Sequence, residues 1–150
     1  MALPVGENVA VFFTAQEEPL EGACYLAGVL INVRDEFRQV VTGATATPKP
    51  AVWVAKTHAD VPKVAAGVIT YVDQLFENVA NYNLSRGWYD QLSLQCYMHN
   101  ERERAVFGRM LIGALEDPSI AEAAMRLLLH FSGPDLANVE QHPQEPVAYP

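Results

Sequence analysis

The sequence predicts an α+β fold: a small mixed sheet of about three or more short strands, flanked by three to four helices, with an extended C-terminal arm. Three observations predict it. Two segments alternate apolar and polar residues at period two, and Val61 to Val79 repeat at the 3.6-residue helical period. The last seventeen residues, Pro134 to Pro150, are polar and spaced by prolines, with too little apolar surface to pack alone. Residues 1–133 therefore read as one globular domain and 134–150 as an arm that needs something to lie on.

Asn8 to Thr14 place Val9, Val11 and Phe13 on one face, which reads as a strand. Pro19 suits a first helical turn, and Leu20, Cys24, Ala27, Ile31 and Val41 fall on one helical stripe, so a helix is expected over 19–41, closed by Gly43. Gly22 and Gly28 weaken that helix and leave a break or an extended VLINV segment as the alternative. TGATATPKP is a loop by composition, and AVWVAK (51–56) is a short strand rich in β-formers. Asp60 is placed to cap a helix over 62–82 whose stripe is Val61, Val64, Ala65, Val68, Val72, Leu75, Phe76 and Val79. After the Ser85-Arg86-Gly87 turn, Leu92, Leu94, Cys96 and Met98 alternate with Gln91, Ser93, Gln95 and Tyr97 as a half-buried strand. Asn100 followed by Glu103 resembles a capping box before a helix carrying Val106, Phe107, Met110, Leu111, Ala114 and Leu115. Asp117-Pro118 stop it and start a last helix, with Ile120, Ala124, Leu127, Leu128 and Phe131 inward and Gly133-Pro134 at its end.

The chain is 50% hydrophobic and only 19% charged, with a formal net charge of -8. Gripping nucleic acid requires clustered cations, whereas Arg102 and Arg104 are interleaved with Glu101 and Glu103. An acidic skin instead suits a protein that DNA slides past, or one that docks on a basic partner. Seven of the ten cationic side chains are arginine, the better residue for partly desolvated contacts. Cys24 and Cys96 lie far apart in apolar patterns and read as buried free thiols. No basic, apolar leader is legible at the N-terminus, and no run approaches the roughly 20 apolar residues of a membrane span.

Chemistry-bearing patterns are sparse. His58 with Asp60 lacks a third metal ligand, and His99, Glu101 and Glu103 read as a strand end followed by exposed acids at a helix start. His130 near a helix C-terminus is explained by the dipole, and no nucleophile elbow or phosphate loop is present. No catalytic residue, cofactor or metal is therefore assigned. The candidates are for an interface: Trp53, Trp88 and Tyr89 as aromatic anchors; Gln91, Gln95 and Tyr97 on the polar strand face; and Pro143, Pro146, Val147 and Tyr149 in the arm.

PKPAVWV, a strand entered through prolines, and YDQLSLQCYMHNERERAVFGRMLIGALED, a strand running through a capped turn into an amphipathic helix, resemble the layout of tail-terminator and neck proteins of tailed bacteriophages. The resemblance spans about a quarter of the chain, which departs from the pattern by opening on a strand and by inserting the 62–82 helix. It implies a small α+β homo-oligomeric subunit made in the host cytoplasm and built into the virion. There it would form a ring that ends the tail tube, meets other virion proteins, and lets DNA pass without gripping it. Two other classes stay open: an acidic inhibitor or immunity-type protein on a basic toxin or nuclease, and a small enzyme whose site draws together His58, His99, Glu101 and Glu103.

Overall fold

The computed structural model describes residues 8–20, 22–131 and 147–149. Its strands are β1 (Val9–Glu17), β2 (Cys24–Val33), β3 (Ala51–Val54), β4 (Leu94–Met98) and β5 (Val147–Tyr149), and its helices are α1 (Arg38–Thr42), α2 (Val61–Asn83), α3 (Glu101–Ala114) and α4 (Ala121–Phe131). The sheet order is β3-β2-β1-β4-β5, with β1 and β4 parallel and every other pair antiparallel. The mixed α+β architecture expected from the sequence is the one observed.

Helices α2, α3 and α4 cover one face of the sheet. Register puts Val9, Val11, Phe13 and Ala15 of β1 beside Val33, Ile31, Val29 and Ala27 of β2, and Val9, Val11 and Phe13 beside Leu94, Cys96 and Met98 of β4. These side chains meet Val64, Val68, Val72, Leu75 and Val79 of α2 and Val106, Phe107 and Leu111 of α3 in one core. Fully burying an aliphatic or aromatic side chain of this size contributes about 1.5–3 kcal/mol, so this layer carries most of the stabilisation. Phe13, Phe107 and Phe131 form its aromatic centre, Phe131 standing edge-on to Phe13 with ring centroids 6.0 Å apart.

Within the segment expected as a helix over 19–41, Cys24–Val33 is instead the second arm of a hairpin, which contains the extended VLINV alternative. Gly22, at φ 69°, turns the chain back, and Glu18 N–H donates to Ala23 O at 2.8 Å. Cys24, Ala27 and Ile31 are buried, as a helical stripe would have them, but so are Val29 and Val33, and Leu20 is exposed. Period two wins because β-branched residues pair well across a ladder, and Gly28 fits beneath Thr14, whose methyl would meet a Cβ at 2.9 Å. Only a 3-10 turn over Asp35–Phe37 and the short α1 after it are helical, closed by Gly43 at φ 80° as expected.

Two capping expectations change. Asp60 makes no side-chain cap to α2; a 3-10 turn over His58–Asp60 leads in, and the Asp60 carboxylate pairs with Lys63 Nζ at 3.4 Å. Asn100 does cap α3, accepting from Glu103 N–H at 2.9 Å, but the Glu103 side chain does not return to Asn100 and bonds β1 instead.

The arm was expected to take its order from another polypeptide. The backbone of Val147–Tyr149 pairs instead with Met98–Cys96 of its own chain, because the outer edge of β4 offers free ladder groups. Pro143 and Pro146 lie outside the described residues. Among the described residues, no helix is long and apolar enough to cross a membrane.

Candidate interface

With the described helices on one side, the other face of the sheet carries the alternate residues. Successive rows across the strands are Val54, Leu26 and Gln16; Val52, Gly28 and Thr14; Leu30, Phe12 and Tyr97; and Asn32, Ala10 and Gln95. Phe12 and Tyr97 stack with centroids 5.2 Å apart and planes 17° from parallel. Toward the β3 edge the row ends are bare: Val52 is 57% and Val54 52% exposed, and Leu30 is exposed beside them. Covering either valine would contribute on the order of 1 kcal/mol. Pro48, Lys49 and Pro50 precede the edge and Lys56 follows it, the residue types that limit indiscriminate strand pairing.

Trp53, expected at an interface, faces the other way. It packs on α2, edge-on to Tyr71 with centroids 5.4 Å apart, in a space left by Gly67. The exposed positions of β3 are its neighbours, which alternation alone could have identified.

A second apolar patch sits on the turn between α2 and β4. Trp88 is 85% and Tyr89 73% exposed, and Leu84 is exposed next to them. Backbone pins hold this turn from beneath. Asn83 grips Leu92 twice, its Oδ1 accepting from Leu92 N–H at 2.7 Å and its Nδ2 donating to Leu92 O at 3.1 Å. Gln91 Nε2 donates to Arg86 O at 3.1 Å, Arg86 Nε donates to Tyr82 O at 3.0 Å, and the Arg86 guanidinium lies 3.8 Å over the Tyr82 ring. Gln91 therefore acts within the turn, stiffening it under two aromatic side chains, which lowers the entropy those side chains would lose on docking. Gln95 and Tyr97 lie on the open face as expected; the side chains of Val147 and Tyr149 are not described.

Beside the turn, a groove of about 600 Å³ runs between α2, α4 and the lead into β4. Its apolar wall includes Phe76, Leu92, Leu94 and Leu127, and its rim holds Asp73 and Arg126, joined by two hydrogen bonds of 3.0 and 2.7 Å.

The titratable residues fall apart spatially. His58 lines a shallow hollow with Glu18, Tyr25 and Val61, while His99 and Glu101 are exposed at the turn from β4 to α3. Glu103, expected as an exposed helix-start acid, is only 6% exposed. Its Oε1 accepts from Thr14 Oγ1, from Ala15 N–H at 3.4 Å and from Gln16 Nε2 at 2.8 Å, replacing the ladder partner that β1 loses where β4 ends. Among the described residues, no three His, Cys, Asp or Glu side chains are grouped to hold a metal ion. Both cysteines are buried, and burial pushes their thiols upward, which opposes thiolate chemistry. A scan against family models found no match to this chain, and searches of curated proteins and of solved structures found none either.

Proposed function

We propose that this protein is a non-enzymatic ring-forming subunit of a bacteriophage neck or tail. One observation carries the reading: among the described residues, two exposed apolar patches are unlike, and they lie toward opposite parts of the strand order. Val52, Val54 and Leu30 flank the β3 edge, and Trp88, Tyr89 and Leu84 crown the turn that feeds β4, three strands across. A two-fold dimer needs one self-complementary patch, whereas a closed ring needs two different patches that meet head to tail. Exposed tryptophan and tyrosine on a pinned turn are the residue types that dominate association energy. The net charge of -8 suits a ring whose bore repels passing DNA.

Sedimentation of wild type beside a Trp88→Ala/Tyr89→Ala variant tests this. The expected outcome is a discrete closed oligomer for wild type and a folded monomer for the variant. Wild type that stays monomeric or dimeric, yet binds a cationic protein with steep salt dependence, would instead establish the acidic-inhibitor reading.

A further inference from the structure

We infer that the β3 edge of one subunit seats in the groove between α2, α4 and the lead into β4 of the next, with Val52 and Val54 against its apolar wall and Lys56 at the acidic rim beside Glu77. This rests on the ring reading and assigns the two unlike patches their contact.

Charge selects this occupant. On the groove rim Arg126 bonds Asp73 at 3.0 and 2.7 Å and pairs with Glu122 at 3.1 Å, and Glu77 lines the groove beside them. Even with His130, which also lines it, counted as a cation, acids outnumber bases by three to two. Elsewhere Arg38, Lys63, Arg104 and Arg109 are each paired with a carboxylate of their own chain. Lys49 and Lys56 are exposed, have no ion-pair partner among the described residues, and bracket the exposed Val52 and Val54. A strand edge with apolar middle and basic ends complements an apolar groove with an acidic rim; the apolar contact supplies affinity and the charges set orientation.

The dimensions agree. Asp73, Phe76, Ala80 and Asn83 recur at three or four residues on one face of α2, so the groove runs about 15 Å along the helix. The four residues of β3 extend about 13 Å. Ala55 N–H donates to Tyr25 O at 2.7 Å and continues the extended pairing, so Lys56 follows Val52 and Val54 at the same two-residue step. At the other end of the groove, Asn83 and Leu92 also anchor the turn that carries Trp88 and Tyr89, so an edge seated here meets that patch as well.

Charge reversal tests the contact. Lys56→Glu and Glu77→Lys each oppose like charges across it, and the double variant restores opposite charges with their signs exchanged. Both side chains are exposed, and circular dichroism checks that each variant is folded. Native mass then reads the oligomer at matched salt over a range of concentrations. The expected result is that each single variant needs about tenfold or more protein to assemble than wild type, and that the double variant recovers the wild-type oligomer. Single variants that assemble as wild type does, or a double variant no better than the singles, would overturn this contact while leaving the ring standing. Wild type with no oligomer would overturn both. A two-chain species lost in the singles and restored in the double would support the contact and contradict the ring.

Discussion

Gly67 and Gly108 both lie inside helices, yet their surroundings give opposite expectations for alanine. At Gly67 in α2 an added Cβ would fall within the Trp53 indole, so the helix-propensity gain is overwhelmed by overpacking. Gly67→Ala is expected to destabilise by about 1–3 kcal/mol in urea titration. Gly108 in α3 has nothing within 4 Å of that position, and Gly108→Ala is expected to stabilise by about 0.5–1 kcal/mol. If both substitutions moved stability in the same direction, the packing of Trp53 against α2 would be wrong. Asp117 supplies a pH-dependent case. Hydrogen bonds from the Ser119 hydroxyl and N–H hold its carboxyl below the ordinary value, about 3.9. A carboxyl lowered in the folded state contributes stability above its unfolded value and loses it as pH falls through the folded one. Ser119→Ala removes the hydroxyl donor and is therefore expected to lower stability at neutral pH and to converge on wild type as pH falls through the folded-state value, a comparison circular dichroism can follow.

Among the elements, the start of α3 joins two roles that the residue pattern shows as one. Asn100 at the cap and Glu103 three residues on were legible as a helix start, and the cap is present. What the pattern could not show is that Glu103 turns to β1, because that depends on β4 ending one strand away at Met98 and leaving Ala15 N–H without a ladder partner. Asn100→Ala is expected to cost about 1 kcal/mol, the usual loss for a cap. Glu103→Ala strands three donors at once and is expected to cost about 2–3 kcal/mol, with Glu103→Gln retaining part of that because its carbonyl still accepts. Equal losses for Asn100→Ala and Glu103→Ala in thermal unfolding would assign Glu103 to capping alone. The 62–82 helix was legible because its apolar stripe, Val61 to Val79, extends over about five turns with no competing period. β2 was legible only as the extended VLINV alternative, since Ala27 and Ile31, four apart, satisfy both helical and strand spacing, Cys24 fits the helical spacing alone and is turned inward by the register shift at Gln16/Glu17, and Val29 and Val33 decide only once β1 lies alongside. The interface divided in the same way. Trp88 and Tyr89 followed from composition and a turn, whereas the turn from Trp53 to Val52 and Val54 required knowing which face the helices cover.

At the scale of the whole molecule, a sheet with the described helices on one side and two unlike apolar patches are features that subunit contacts would complete. The acidic charge adds a condition: self-repulsion between copies weakens as salt screens it, so assembly carried by apolar contacts is expected to strengthen, or at least persist, from low to physiological salt. Loss of assembly over that range would point to ion pairs as the glue. The most direct measurement is native mass of the 150-residue protein across a hundredfold concentration range. The expected result is one closed species of three or more 16.5 kDa subunits, unchanged in size as concentration rises. A persistent 16.5 kDa monomer, or an open series that lengthens with concentration, would contradict it.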